Sequence, residues 1–170
     1  IKFLSRMDGI EYVKNEELFE NKWFKGIPDV LVKDANGKIL KIIEIKTSYD
    51  LPSFIMSLKK PEKQSHVYEV MGYMDLLGCK KAEVVHCLVY MPHGIVSFEE
   101  KRLTERYRNL ELDDEVISER LNKTLSNMEY SGIPDELKIF RRSFEYNKVA
   151  MKSVKMRVTS SRKWIKDIHD

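Results

Sequence analysis

The chain has 170 residues, 34% of them charged and 42% hydrophobic, with a formal net charge of +3. That length suffices for one domain with its own core, expected here over residues 1–170, and a charge so near balance does not by itself point to nucleic acid. No apolar run is long enough for a bilayer and no export signal is visible, while Cys79 and Cys87 lack metal-ligand or disulfide-framework spacing, so no membrane association and a reducing cytoplasm are expected.

The chain opens on Ile1 without an initiator Met and reads as trimmed at that end. After a polar start, residues 10–25 predict a strand around Phe19 to Phe24, and Gly26-Ile27-Pro28 turns the chain into the next one. Val30 to Val32 and Ile39 to Ile45 then flank Asn36-Gly37, a hairpin signal. Thr47 to Pro61 is too long for a plain loop in a compact domain and predicts either a functional loop or a short helix. Glu62 to Leu77 predicts a helix with Pro61 at its first turn and Gly78 at its stop. Ala82 to Met91 predicts a central strand, Phe98 to Arg108 and Asp114 to Tyr130 two helices, and Lys138 to Tyr146 a strand. Asn147 to Ile168 predicts a long terminal helix capped by Asn147. This order implies an α/β fold with a mixed central β-sheet flanked by α-helices.

Chemistry concentrates on the Asp29–Lys46 hairpin. Glu44 and Lys46 are two apart and so project from one face of a strand that is otherwise apolar. Asp29 stands at the mouth of the partner strand. A half-buried carboxylate is costly unless it is paired or holds a cation. Asp29, Glu44 and the backbone carbonyl of Ile45 make an oxygen ligand set suited to Mg²⁺ or Mn²⁺. Lys46 would hold or deprotonate the attacking water, or stabilise charge building on a phosphate. The competing reading is a surface salt-bridge cluster.

On the following helix, at about 100° per residue, Val67, Val70, Met71, Met74 and Leu77 form an apolar stripe, with His66, Glu69 and Tyr73 on one flank. Glu69 and Tyr73, at i and i+4, are the preferred pair to complete the pocket; Gln64 and Tyr68 have the same spacing on a roughly opposite face. From Glu136 to Asp170 there are ten Lys or Arg against four Asp or Glu. Lys148, Lys152, Lys155, Arg162 and Lys166 follow one another at intervals of 4, 3, 7 and 4, a stripe suited to tracking a DNA backbone. Met151, Val154, Val158, Ile165 and Ile168 lie beside it. Arg141-Arg142 and Lys59-Lys60 are expected to add positive charge at the cleft, with Tyr49 and Phe54 as stacking candidates. His86 reads as a core histidine and His93 as a loop residue. No serine has a base at useful spacing, and no Walker loop or dinucleotide fingerprint is present.

Together these residues resemble the PD-(D/E)XK nuclease superfamily, and within it the phage lambda-type (YqaJ-like) exonuclease branch. The likeness runs through Phe19-Glu-Asn21, Gly26-Ile-Pro-Asp29, Glu44-Ile-Lys46-Thr47-Ser48, His66-Val-Tyr-Glu69-Val-Met-Gly-Tyr73-Met74 and the strand Ala82 to Tyr90. It implies a restriction-endonuclease-like core and a Mg²⁺- or Mn²⁺-dependent deoxyribonuclease. The catalytic residues would be Asp29, Glu44, Lys46, Glu69 and Tyr73, acting at duplex ends in phage-type recombination or repair. It further implies DNA as partner, a single-strand annealing protein beside it and a homo-oligomer. The family usually has Gln where Glu69 stands, and Gln64 with Tyr68 fits that motif literally. An upstream carboxylate joins the site in many members; Glu17 and Glu20 are the candidates. Other readings on the same core are an inactive DNA- or protein-binding module and a structure-specific endonuclease.

Overall fold

A computed structural model describes residues 1–169. Its order is α1 (Lys2–Asp8), β1 (Phe19–Glu20), β2 (Lys25–Gly26), β3 (Val30–Lys33), β4 (Ile39–Ser48), α2 (Leu51–Lys59), α3 (Gln64–Leu77), β5 (Lys81–Leu88), α4 (His93–Asn109), α5 (Asp114–Glu129), β6 (Ile139–Glu145) and α6 (Lys148–His169). A short 3-10 turn, Asp135–Lys138, precedes β6. The fold is α/β, with a mixed four-stranded sheet in the order β3-β4-β5-β6 and a separate β1-β2 hairpin.

The chain divides into two compact units. The first holds Ile1–Lys46, Pro61–Val85 and Arg141–Asp170; the second holds Thr47–Lys60 and His86–Phe140. In the first, α3 and the start of α6 cover the sheet. Ile42 and Val84 from the strands meet Val70, Met71 and Met74 from α3 and Met151 from α6, all buried. This is the apolar stripe of α3 at work: side chains three and four apart share the face turned to the sheet. Met74 is fully buried, so Met74→Ala is expected to lower stability by about 2–5 kcal/mol through lost transfer energy and the cavity left behind. Urea unfolding monitored by circular dichroism measures it. On the other side, Glu83 of β5 joins Lys41 of β4 at 2.9 Å and Arg141 of β6 at 3.2 Å, and Arg141 reaches Asp8 of α1 at 2.7 Å.

The β3-β4 turn is built differently from a simple Asn-Gly hairpin. Gly37 takes the left-handed φ of 81°, while the Asp34 carboxylate accepts the N–H groups of Asn36 and Lys38, both at 2.9 Å. The register slips between Val32 and Lys33, leaving a bulge that absorbs the extra residue.

In the second unit, α4 and α5 pack as a helical pair, with Leu103 and Ile117 buried. The segment Thr47 to Pro61 does contain a helix, α2, whose first turn is capped by Asp50 accepting the Ser53 N–H at 2.7 Å.

Several boundaries differ from expectation. Helix α3 starts at Gln64 rather than Glu62, because Lys63 keeps an extended ψ of 133° and Glu62 stays outside the helix. Pro61 is therefore not in its first turn. Helix α4 begins at His93, directly after Pro92, so His93 is helical and not a loop residue. Helix α1 went unread, since seven residues show too little periodicity; Leu4 fixes it by burial. The expected strand at Phe19 to Phe24 is instead two two-residue strands around a turn, in which Asn21 Oδ1 accepts the N–H groups of Trp23 and Phe24.

Candidate active site

All the residues singled out for chemistry on the hairpin and on α3 lie in the first unit. Strand β3 ends its ladder at Val30, which pairs with Ile43. Beyond it the backbone pairing is replaced by a side chain: Asp29 Oδ2 accepts the Ile45 N–H at 2.8 Å. Asp29 is thereby held against the strand that carries Glu44. Its own carbonyl accepts the Asn15 N–H at 2.8 Å, and the Asn15 amide donates to the Pro28 carbonyl at 3.0 Å. Sequence reasoning missed Asn15; nothing in its spacing distinguishes it.

Strand alternation brings Glu44 and Lys46 to the same side, with Lys46 Nζ 2.9 Å from Glu44 Oε1. The same ammonium is 2.7 Å from Glu69 Oε2 on α3. Lys46 therefore bridges strand and helix. Glu69 and Tyr73 lie on this side of α3, whereas Gln64 and Tyr68 are exposed. His66, one turn before Glu69, is 2.6 Å from Glu62.

The electrostatics follow from burial. Glu44 is only 6% exposed, and Oε2 is buried with no hydrogen-bond partner. Burial pushes its carboxyl up to about 7; the Lys46 hydrogen bond opposes this and the charges of Asp29 and Glu69 add to it. Burial pulls Lys46 down, but its hydrogen bonds to Glu44 and Glu69 outweigh that and hold it above its usual range. Tyr73 is pushed up to about 12, first by burial and then by the charges of Glu44 and Glu69. At neutral pH the site presents an ammonium and a phenol as donors, with the Glu44 carboxyl divided between its protonated and ionised forms.

Gly26 is a second feature that spacing did not reveal. A Cβ there would stand 2.5 Å from Tyr73 Cε1, so the β1-β2 hairpin rests directly on the phenol ring. Gly26→Ala is expected to displace ring or hairpin and cost about 1–3 kcal/mol, as overpacking does. A thermal melt beside that of the parent protein checks it.

The basic residues fare unevenly. Lys155 is 2.7 Å from Asp75, which also accepts the Tyr146 hydroxyl at 2.6 Å. Arg162 donates to the Lys22 carbonyl at 2.6 Å. Lys148, Lys152 and Lys166 are exposed. The expected continuous stripe is thus interrupted by one lysine locked into packing. Arg141 is tied to Asp8 and Glu83, and Arg142 lies 3.3 Å from Glu62, so both guanidiniums serve the fold's own carboxylates. Phe54 is 2% exposed and has no face to offer a base; Tyr49 is exposed, and its carbonyl accepts the Tyr130 hydroxyl. Lys59 and Lys60 are exposed at the end of α2. Glu20 pairs with Lys25 across the small hairpin at 3.1 Å, and Glu17 is exposed. His86 is buried, with its ring centroid 6.4 Å from that of Phe140. Cys79 and Cys87 are buried and form no disulfide. Among the described residues no helix is long and apolar enough to cross a membrane.

No protein-family model matches the sequence, and no curated protein matches it. Solved structures do match in fold. A phage-related exonuclease from Haemophilus somnus 129PT superposes with a TM-score of 0.71 at 22% identity, over 99% of this chain and 66% of that one. The alkaline exonuclease LHK-Exo from Laribacter hongkongensis gives 0.59 at 14% identity, over 98% and 62%. The same enzyme in complex with dAMP gives 0.56 at 16% identity, over 96% and 61%. The chain spans less than two thirds of the length of each. What it shares with them is the fold.

Proposed function

We propose that this protein is a divalent-metal-dependent deoxyribonuclease, an exonuclease that hydrolyses phosphodiesters at duplex DNA ends. The observation that carries this reading is Glu44 Oε2, a buried carboxylate oxygen without a partner, with Asp29 fixed beside its strand. A buried anion in that state is costly, and a hard cation is the partner that removes the cost. Asp29, Glu44 and the Ile45 carbonyl are the groups that would hold Mg²⁺ or Mn²⁺, since such ions take oxygen ligands and keep several waters. When bound, the ion supplies Lewis acidity, making water a stronger nucleophile and neutralising charge on the phosphate.

The remaining chemistry belongs to the chain. Lys46 stays protonated, because two carboxylates hold its ammonium. It therefore acts as a donor that orients the attacking water and meets charge developing on the phosphate, rather than as the base. Glu69 fixes the ammonium from the helix side. Tyr73, a phenol throughout the physiological range, keeps a hydroxyl proton that it would donate to the substrate. Glu69 accepts where a Gln would also donate, so this site leans more heavily on its cations to hold the substrate phosphate.

Lys148, Lys152 and Lys166 are the residues of the terminal helix we assign to the backbone of the strand being cut. End processing in phage-type recombination, in a bacterial host cytoplasm and beside a single-strand annealing protein, is the setting this activity fits, and a homo-oligomer suits action on DNA ends. The test is digestion of linear against closed-circular duplex DNA, with Mg²⁺ and with EDTA. Loss of the linear substrate only, and only with metal, is expected. Equal cutting of the closed circle would replace the exonuclease reading with an endonuclease one. The Lys46 ion pairs with Glu44 and Glu69 favour a second reading, an inactive DNA-binding module whose site is closed by its own salt bridges. Calorimetry with Ca²⁺ separates the two: DNA binding without metal affinity selects the module.

A further inference from the structure

Helices α3 and α6 enclose a groove of about 330 Å³ that the proposed chemistry does not use. It is lined by Tyr68, Val154, Arg157, Val158, Ser161 and Arg162. Tyr68 is 42% exposed, so its ring is accessible to a ligand. Arg157 is exposed. Arg162 both lines the groove and donates to the Lys22 carbonyl, which ties the turn of the β1-β2 hairpin to this side of α6. The groove thus offers one exposed aromatic ring, Tyr68, and two cations, Arg157 and Arg162. No acidic side chain lines the groove, and Glu20, on the hairpin, is neutralised by Lys25.

We infer that this surface binds single-stranded nucleic acid. An apolar floor beside an exposed ring accepts the face of a base; an unpaired base has faces to give all along its strand, where a duplex shows one only at its last pair. The flanking cations match the phosphates that follow at each step. Complementary charge also selects this occupant over a second copy of the chain, which would set Arg157 and Arg162 against their own likenesses. Tyr68 neighbours Glu69 in sequence but sits on the exposed side of α3. The groove would therefore take a strand other than the one being cut. Only that last assignment rests on the nuclease reading; the affinity for a single strand does not.

The test is fluorescence anisotropy of a fluorescein-labelled oligo(dT), in EDTA so that no cleavage intervenes. Tyr68→Ala is expected to weaken binding by about tenfold, and Tyr68→Phe to retain it. Arg157→Gln, on an exposed side chain, is expected to make the slope of log affinity against log salt shallower by about 0.7, the value of one lost phosphate contact on a single strand. Circular dichroism verifies folding; should Tyr68→Ala not fold, the Arg157→Gln slope decides. Oligo(dT) affinity and salt slope unchanged in the variants would overturn the proposal, as would no binding by the parent protein. Poly-glutamate binding that falls in these variants while oligo(dT) binding stays constant would assign the groove to an acidic polypeptide and likewise overturn it. Intact, variant-sensitive oligo(dT) binding in a protein that digests no DNA with Mg²⁺ or Mn²⁺ would sink the nuclease reading and leave this one standing.

Discussion

Replacing Lys46 by alanine is expected to slow Mg²⁺-dependent digestion of linear duplex DNA by about a hundred- to a thousandfold, the usual cost of removing one preorganised donor from a reacting centre. The ammonium has a defined place, 2.9 Å from Glu44 and 2.7 Å from Glu69, so its loss removes a positive charge at a fixed point. Arginine should not restore the rate, because a planar fork cannot occupy the position of a compact point charge between two carboxylates. Cation binding should respond in the opposite sense. Without the ammonium no cation competes at Glu44 and Glu69; Glu44, which Lys46 holds down, then needs alkaline buffer to ionise, and there calorimetry with Ca²⁺ should show affinity equal to or above that of the parent. A loss of rate with retained cation affinity is what distinguishes a role at the water or phosphate from a role in holding the ion. Undiminished digestion by Lys46→Ala would reject the assignment of this lysine.

The second large effect is on stability. In the metal-free protein Glu44 titrates near 7, against an ordinary value of 4.5. Between those values the folded state binds more protons than the unfolded one, so stability must fall as pH rises. The burial that raises this group favours folding with the carboxyl protonated and opposes it once ionised. The expected loss between pH 5 and pH 8 is on the order of 2–3 kcal/mol, measured by urea unfolding in EDTA. Asp75 is lowered, by Lys155 and the Tyr146 hydroxyl acting against its burial. Its contribution is complete above its ordinary value and is lost only as pH falls, so it does not enter this window. Lys46 is raised, and its contribution is lost only in strong alkali. Glu44→Gln should flatten the profile, leaving a variant more stable than the parent at pH 8 but inactive. Ca²⁺ should recover the lost stability in the parent and not in the variant. A parent protein whose stability is flat from pH 5 to pH 8 would show that the Glu44 carboxyl is not held in a costly environment.

Both effects originate in one short stretch, and much of that stretch was legible in the chain itself. Alternation along Ile39 to Ile45 identified a strand apolar on both faces, and a two-residue spacing is enough to put Glu44 and Lys46 on one side of it. Likewise, 3.6-residue periodicity marked the buried face of α3, and Asn147 marked the start of α6 by a cap that the structure contains, accepting the Val149 and Ala150 N–H groups at 3.0 Å. These are local rules, acting over a few residues, and a sequence displays them directly.

What periodicity alone could not rank was the choice between partners on a helix. Glu69 with Tyr73 and Gln64 with Tyr68 have the same spacing, and only the docking of α3 on the sheet turns one pair toward Lys46 and leaves the other in solvent. The basic residues divide for the same reason. Lys148 and Lys155 are alike as letters on a stripe, but Asp75 comes from another helix to take Lys155. Arg141 and Arg142 are likewise claimed by Asp8 and Glu62, residues distant in the chain. The requirement for glycine at position 26 exists only because Tyr73 packs against it. Residue type and spacing decided which groups this protein has to work with and which faces they share. The folded arrangement decided which charges are neutralised internally, which rings are accessible and which carboxylate oxygen is left without a partner, since those depend on groups brought close through space across long separations in the chain.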